Sequence, residues 1–248
     1  MRRAMMVGVA ALAAVAIAPA AHAQTPLDGD AYAFPVPDYV GALVGANSLD
    51  PGTGKRNGRA DKPKERDKRV KRPTRRQLAA LRFQPTPEVT QGVYQRVIDE
   101  VGPIIDPMVL TGQLDAAKAG FREVLAGVGW KATDLGDVAA FSLVQGYVTW
   151  RRVRNASEAG LKVLRREVRG NLALQRQVRR LSETRKQEIA EMLELRVIFF
   201  LDAFDDARLL GDSTGVAIAR ADMREWTETI FGVDVNEVRL TRRGLVER

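Results

Sequence analysis

Asp202, Asp205 and Asp206 are the residues of this chain whose type and spacing most suggest chemistry. Separations of three and four place Asp202 on one helix face with each of the other two. Paired carboxylates so placed can divide the roles of general acid and general base, or help hold a hard cation. The same spacing fits a solvated helix end, and Arg208 nearby offers an ion pair. The oxygen-rich loop with a turn glycine that calcium sites use is missing. So are a Gly-rich phosphate loop, a G-x-S-x-G elbow and an S-x-x-K with its partner motifs. The chain has no cysteine and one histidine, His22. Thiol nucleophiles, disulfides and cysteine zinc sites are therefore closed to it, and loss of His22 would close histidine zinc sites and imidazole triads as well. No cofactor is expected.

The start of the chain bears on that histidine. Arg2-Arg3, an uncharged alanine-rich run over residues 4–18 and the small-x-small ending Ala21-His22-Ala23 form the three parts of a secretory signal peptide over residues 1–23. Cleavage after Ala23 would remove His22 and deliver the protein to the periplasm or beyond the cell. The longest later apolar run, Val197-Ile198-Phe199-Phe200-Leu201, is too short to span a bilayer, so the mature chain is not expected to be membrane-integral.

Charge is distributed unevenly. Residues 24–54, an apolar, proline-broken arm, carry a net −4; residues 55–76 carry +9; residues 77–248 carry only +1. The 55–76 stretch has almost no apolar side chains and reads as a disordered basic linker, unable to bury enough surface to offset the entropy of ordering. Lys68, Arg69, Lys71 and Arg72 make it a candidate tether for an anionic envelope component; a solvated spacer accounts for the same composition. No aromatic residue interleaves the block, and export argues against nucleic acid as a partner.

From residue 77 to residue 248 the pattern is helical. Thr86-Pro87-Glu88 opens a first helix, with Val89, Val93, Val97, Ile98 and Val101 recurring before Gly102-Pro103 stops it. Further helices are expected over residues 114–126, 135–154, 161–181, 183–210 and 216–231, with one short helix in the tail. Gly170-Asn171 interrupts the apolar pattern of the 161–181 helix. Strand signals are nearly absent. The expected fold is all-α: one helical-bundle-like domain of about six helices. On the 161–181 helix, Arg165, Arg166, Arg169, Arg176 and Arg180 fall within a stripe about 100° wide. Arg165, Arg166 and Arg169 make it a candidate anion-binding face, and an ordinary solvated face explains it as well. Trp130, Trp150 and Trp226 suit core or rim packing.

Three segments carry a family resemblance: Phe83-Gln84-Pro85-Thr86-Pro87-Glu88-Val89, Asp134-Leu135-Gly136-Asp137-Val138-Ala139-Ala140-Phe141 and Leu181-Ser182-Glu183-Thr184-Arg185-Lys186-Gln187. Together they resemble an uncharacterised family of exported bacterial α-helical proteins, a domain of unknown function, over about residues 83–246. That family's pattern places Asn-Leu-x-Asp-Ala on a central helix; here Asp134 stands for the Asn and Val138 for the Ala. The resemblance implies a secreted helical domain and assigns no catalytic residue. The expected function is a non-enzymatic binding or interaction protein of the bacterial envelope, its partner an unidentified protein or an anionic component. The alternative is a carboxylate-dependent enzyme acting on envelope glycans.

Overall fold

The computed structural model describes residues 72–101, 106–153 and 156–248. The signal peptide, the arm, residues 55–71 of the basic linker and the stop at Gly102-Pro103 lie outside the described residues. Eight helices occur among the described residues: α1 (Arg75–Ala79), α2 (Pro87–Val101), α3 (Pro107–Gly127), α4 (Leu135–Arg151), α5 (Glu158–Leu174), α6 (Arg176–Arg179), α7 (Glu183–Leu209) and α8 (Ser213–Phe231). A hairpin, β1 (Val238–Thr241) and β2 (Gly244–Glu247), follows. The fold is all-α apart from this hairpin, with six long helices and two short ones.

Helix starts follow their caps. Asp134 accepts from the backbone N–H groups of Gly136 and Asp137, Ser182 from Arg185, and Asp212 from Thr214 and Gly215. Pro87 at the first position of α2 behaves as its sequence suggests. Four local expectations need correction. Asp106 and Pro107 start α3 seven residues before the expected Leu114, because the Asp106 carboxylate caps Met108 and Val109. The break in the 161–181 helix falls at Gln175, beyond Gly170-Asn171, so α5 and α6 are separate. Thr74 and Gln77 form a capping box that begins α1 at Arg75, within the last residues of the basic stretch. The tail is a hairpin instead of a helix, with Thr241 paired to Gly244 across Arg242-Arg243. Gly244 takes a φ of 92°, which favours glycine, and sits against Val163 and Glu167 of α5.

Two helices form the centre. Every residue of α4 from Leu135 to Val148 is buried, and α7 buries Ile189, Met192, Leu193, Leu195, Val197 and Ile198 together with polar residues. They begin side by side on one extended segment. Leu81 accepts from the Leu135 N–H (3.1 Å), Phe83 donates to the Thr133 carbonyl (3.1 Å), and Gln84 N donates to Glu183 (3.1 Å). Edge-to-face contacts of Phe141 with Phe121 (5.1 Å) and Trp130 (6.2 Å) tie α4 to α3 and the loop after it. Trp226 packs on Phe200 and Phe231, while Trp150 donates to Asn236 at 2.7 Å. These are core and rim roles. The hairpin is held to the centre by Leu240 N donating to the Tyr147 hydroxyl at 2.9 Å.

Helix α8 crosses α4 closely because position 146 has no side chain. A Cβ at Gly146 would overlap the hydroxyl, Cβ and methyl of Thr227, whose hydroxyl donates to the Met223 carbonyl (2.6 Å). Gly146→Ala should therefore lower stability by about 1–3 kcal/mol through overpacking. Gly112, exposed on α3 with nothing near its missing Cβ, provides the contrast: Gly112→Ala should add about 0.5–1 kcal/mol. Urea unfolding followed by far-ultraviolet circular dichroism checks both; equal effects of the two changes would refute the packing argument.

Candidate functional site

The Asp134-Leu135-Gly136-Asp137 element places two carboxylates at the start of a buried helix, each with a side chain 1% exposed. Asp134 Oδ1 caps α4, and its Oδ2 meets Arg169 Nη2 at 2.6 Å. Asp137 accepts both arms of an Arg165 fork, Nε and Nη2, at 2.6 Å each, and accepts the Lys131 backbone N–H at 2.9 Å. Arg169 Nε lies 3.3 Å from Asp137, so Arg169 bridges the two aspartates and the four side chains form a chain, Asp134–Arg169–Asp137–Arg165. Arg165 also stacks over Trp130, 5.6 Å from the ring centre. Burial raises the Asp134 carboxyl above its ordinary range, and Arg169 opposes the shift. The hydrogen bonds to Asp137 raise the Arg165 pKa.

A second cluster lies between α3 and α7, with α2 against it. Lys118 Nζ is 2.9 Å from Glu191 Oε2, with side chains 2% and 3% exposed. The other Glu191 oxygen accepts from Thr90 Oγ1 (2.7 Å) and Gln187 Nε2 (3.0 Å). Gln187 in turn accepts from Thr86 N and donates to the Thr86 carbonyl, which fixes the start of α2 against α7. Lys118 also sits 4.9 Å from the centre of the Tyr94 ring, and the Tyr94 hydroxyl donates to Asp115 at 2.7 Å. Glu194, one turn beyond Glu191, is wholly buried. Burial pushes its carboxyl up to about 8; Lys118 and Arg122 pull against that, and Glu191 adds to it.

The three aspartates singled out in the sequence lie at the far end of α7. Asp205 pairs with Arg208 at 3.5 Å. Asp206 is exposed and Asp202 half-buried. Burial pushes the Asp202 carboxyl up to about 6, helped by Asp206 and Asp205. Among the described residues no group of three or more His, Cys, Asp or Glu side chains could hold a metal ion.

The anion-binding candidates separate. Lys68, Arg69 and Lys71 lie outside the described residues. Arg165 and Arg169, expected to face outward, instead turn inward onto Asp137 and Asp134, so that the expected stripe loses two members. Arg166 and Arg72 are exposed. Four exposed arginines, Arg75, Arg76, Arg176 and Arg180, flank these two on α1 and around α6. Apolar periodicity does not reveal Lys118, Glu191 and Glu194, because it assigns charged residues to the outward face. The available signal was the polar character of α7 on faces that must all be covered.

These features define a class: an all-α bundle whose two central helices carry acid–base networks closed within the protein. The chain belongs to the family of unknown function DUF6683, which matches it over residues 1–248. No curated protein and no solved structure matches it.

Two predictions follow from the networks. Replacing Asp137 by Asn leaves the Arg165 fork without its counter-charge, and should cost about 3–5 kcal/mol in urea unfolding at pH 7; a loss comparable to a surface change would refute the clamp. Glu194 has a raised pKa, so the folded chain keeps a proton that an unfolded chain releases near 4.5. Stability should therefore fall as pH rises from 4.5 towards 8 and flatten above it. Asp202 adds a slope of the same sign only between 3.8 and about 6. Glu194→Gln should therefore abolish most of the decline between about pH 6 and pH 8, a gain of a few kcal/mol at the upper end. An unchanged slope in that window would disprove the assignment.

Proposed function

We propose that this protein is a non-enzymatic helical binding module, exported to the periplasm or beyond it and acting in the bacterial envelope. The carrying observation is where uncompensated charge remains. Asp134, Asp137 and Glu191 are buried and met by Arg169, Arg165 and Lys118. The six exposed arginines around α1, α5 and α6 have no ion-pair partner among the described residues. The unpaired arginines around α1, α5 and α6 are free to meet an anionic partner, while these buried acids hold the helices together. The composition of the first 23 residues supports export. Among the described residues no helix is long and apolar enough to cross a membrane.

A second reading, a carboxylate-dependent enzyme acting on envelope glycans, draws on one observation. Glu191 and Glu194 stand one helical turn apart in environments that differ, one paired with Lys118 and the other held protonated by burial. Divergent carboxyls of this kind serve as base and acid in hydrolases. Their burial, at 2% and 1% exposure, weighs against it, because a glycan must reach both groups.

The test is turnover. The purified exported chain, incubated with peptidoglycan and with lipopolysaccharide, is expected to release no reducing sugar above a Glu191→Gln/Glu194→Gln control. Release that depends on both glutamates would replace the binding reading with the enzymatic one.

A further inference from the structure

We propose that the arginine face built by α1, α5 and α6 is a docking surface for an anionic phospholipid bilayer. The inference deepens the binding-module reading and rests on it. Arg72, Arg75, Arg76, Arg166, Arg176 and Arg180 are all exposed. Helix α1 packs on α5, and Pro73 lies against Gly170, where an added Cβ would stand 3.8 Å from the proline ring. Arg166 is one turn before Gly170 on the same side of α5. This docking brings the arginines around α1 beside those of α5. Helix α6 follows after the single residue Gln175, so Arg176 at its start and Arg180 at its C-cap come within ten residues of Gly170 in the chain.

The local charge is one-sided. Residues 72–86 hold four arginines and no acid, and residues 161–180 hold seven basic residues against Glu167 alone. Arg165 and Arg169 are neutralised by Asp137 and Asp134. Glu167 interacts with Arg166 through space without pairing to it. The sequence just before this face adds further positive charge, since Arg72, Arg75 and Arg76 are the end of the +9 stretch 55–76.

Three features select the occupant. Six solvated guanidinium groups spread on and beside three helices match many anionic groups, as lipid phosphates present them, better than one phosphate held by converging donors. The exposed large apolar residues, Met108, Val109, Leu209, Leu210 and Ile218, all lie on other elements. The contact is therefore made at headgroup level without apolar insertion, and screening by salt should dissolve it. No aromatic side chain stands among the six to stack on nucleic-acid bases.

The experiment is cosedimentation of the exported chain with vesicles of phosphatidylcholine alone or mixed with phosphatidylglycerol. Binding is expected only to the mixed vesicles, falling about tenfold or more between low and high salt as the Debye length shrinks. The triple variant Arg75→Glu/Arg76→Glu/Arg166→Glu should lose binding by about tenfold or more, with an unchanged circular dichroism spectrum, since each residue is exposed. Arg75→Lys/Arg76→Lys/Arg166→Lys keeps the charge and should bind within about threefold of the parent chain. Equal binding to neutral vesicles, or full binding by the glutamate variant, overturns the proposal. A lysine variant as weak as the glutamate one also overturns it, because the site would then need guanidinium geometry for one defined ligand. Tighter binding to duplex DNA than to mixed vesicles at the same salt reassigns the face and ends the proposal. If the chain ignores vesicles yet cross-links to one envelope protein, the lipid surface falls while the binding-module reading stands. Glutamate-dependent sugar release would sink that reading whatever the vesicles show.

Discussion

Two carboxylates at the start of a helix buried from Leu135 to Val148 constrain the rest of this structure. Asp134 must be where it is to cap α4, and Asp137 ties the loop before α4 through the Lys131 N–H. Neither can be left in the interior as a bare charge. Cations must reach them, and only a helix lying across the start of α4 with arginines four apart can supply both, as α5 does with Arg165 and Arg169. The crossing then demands a small residue at 136, because the Arg169 stem and the Leu81 side chain occupy the space a Cβ would fill. Leu81, in turn, accepts from Leu135 N and places α1 and α2 on either side of that segment. The clamp is not chiefly a source of net stability. Desolvating four charged groups offsets much of their attraction, whereas separating any pair costs the full penalty of a buried charge. Its effect is to make one arrangement of α4 and α5 far better than its neighbours.

The second network solves a related problem without completing it. Glu191 is satisfied by Lys118, Thr90 and Gln187. Glu194 has one carboxyl oxygen without a hydrogen-bond partner and is left with no full counter-charge, since Lys118 is already used and Arg122 lies half-exposed at the rim. A proton is the remaining way to neutralise it, which is what its raised pKa expresses. The interior thus contains one network closed by arginine, which stays charged at any ordinary pH, and one closed in part by a titrating proton. Burial also holds the Asp134 carboxyl above its ordinary range against Arg169, so both junctions lose stability as pH rises, and Glu194 extends the loss at the α3–α7 junction towards pH 8.

Much of the helical frame was legible because helix ends advertise themselves. Thr86-Pro87, Asp134 and Ser182 each announce a start through a side chain that can accept from an orphan N–H, and all six long helices are legible from such signals and apolar spacing, the start of α3 excepted. What escaped reading had a different physical origin. The sequence at Asp106-Pro107 carries a cap as good as the others, but Pro103 and the gap before Leu114 obscured it. The hairpin lacks an Asn-Gly or Asp-Gly turn, and its four-residue strands are stabilised by Tyr147 and α5 more than by their own propensity. Lys118, Glu191 and Glu194 were invisible because a single sequence does not show which charged residues will find buried partners 70 residues away. The inward turn of Arg165 and Arg169 has the same cause: their stripe was real, but the carboxylates that capture two of its members sit on another helix.

Pairing also explains how a near-neutral domain acquires polarity. A net +1 over residues 77–248 suggests a surface of mixed sign. The folded chain instead uses Arg165, Arg169 and Lys118 on interior acids, leaving Arg166, Arg176 and Arg180 unpaired around α5 and α6, where Arg72, Arg75 and Arg76 from the end of the basic stretch join them. Asp202, Asp205 and Asp206 gather at the far end of α7, where carboxylates oppose the helix dipole and gain nothing from it. Helix α7 has 27 residues, a span of about 40 Å, several times the Debye length of about 8 Å at physiological salt. Acids at one end cannot weaken the field that arginines at the other present to an approaching surface. The long central helix therefore separates two electrostatically independent ends, and the basic one is continuous in sequence with the most highly charged stretch of the chain.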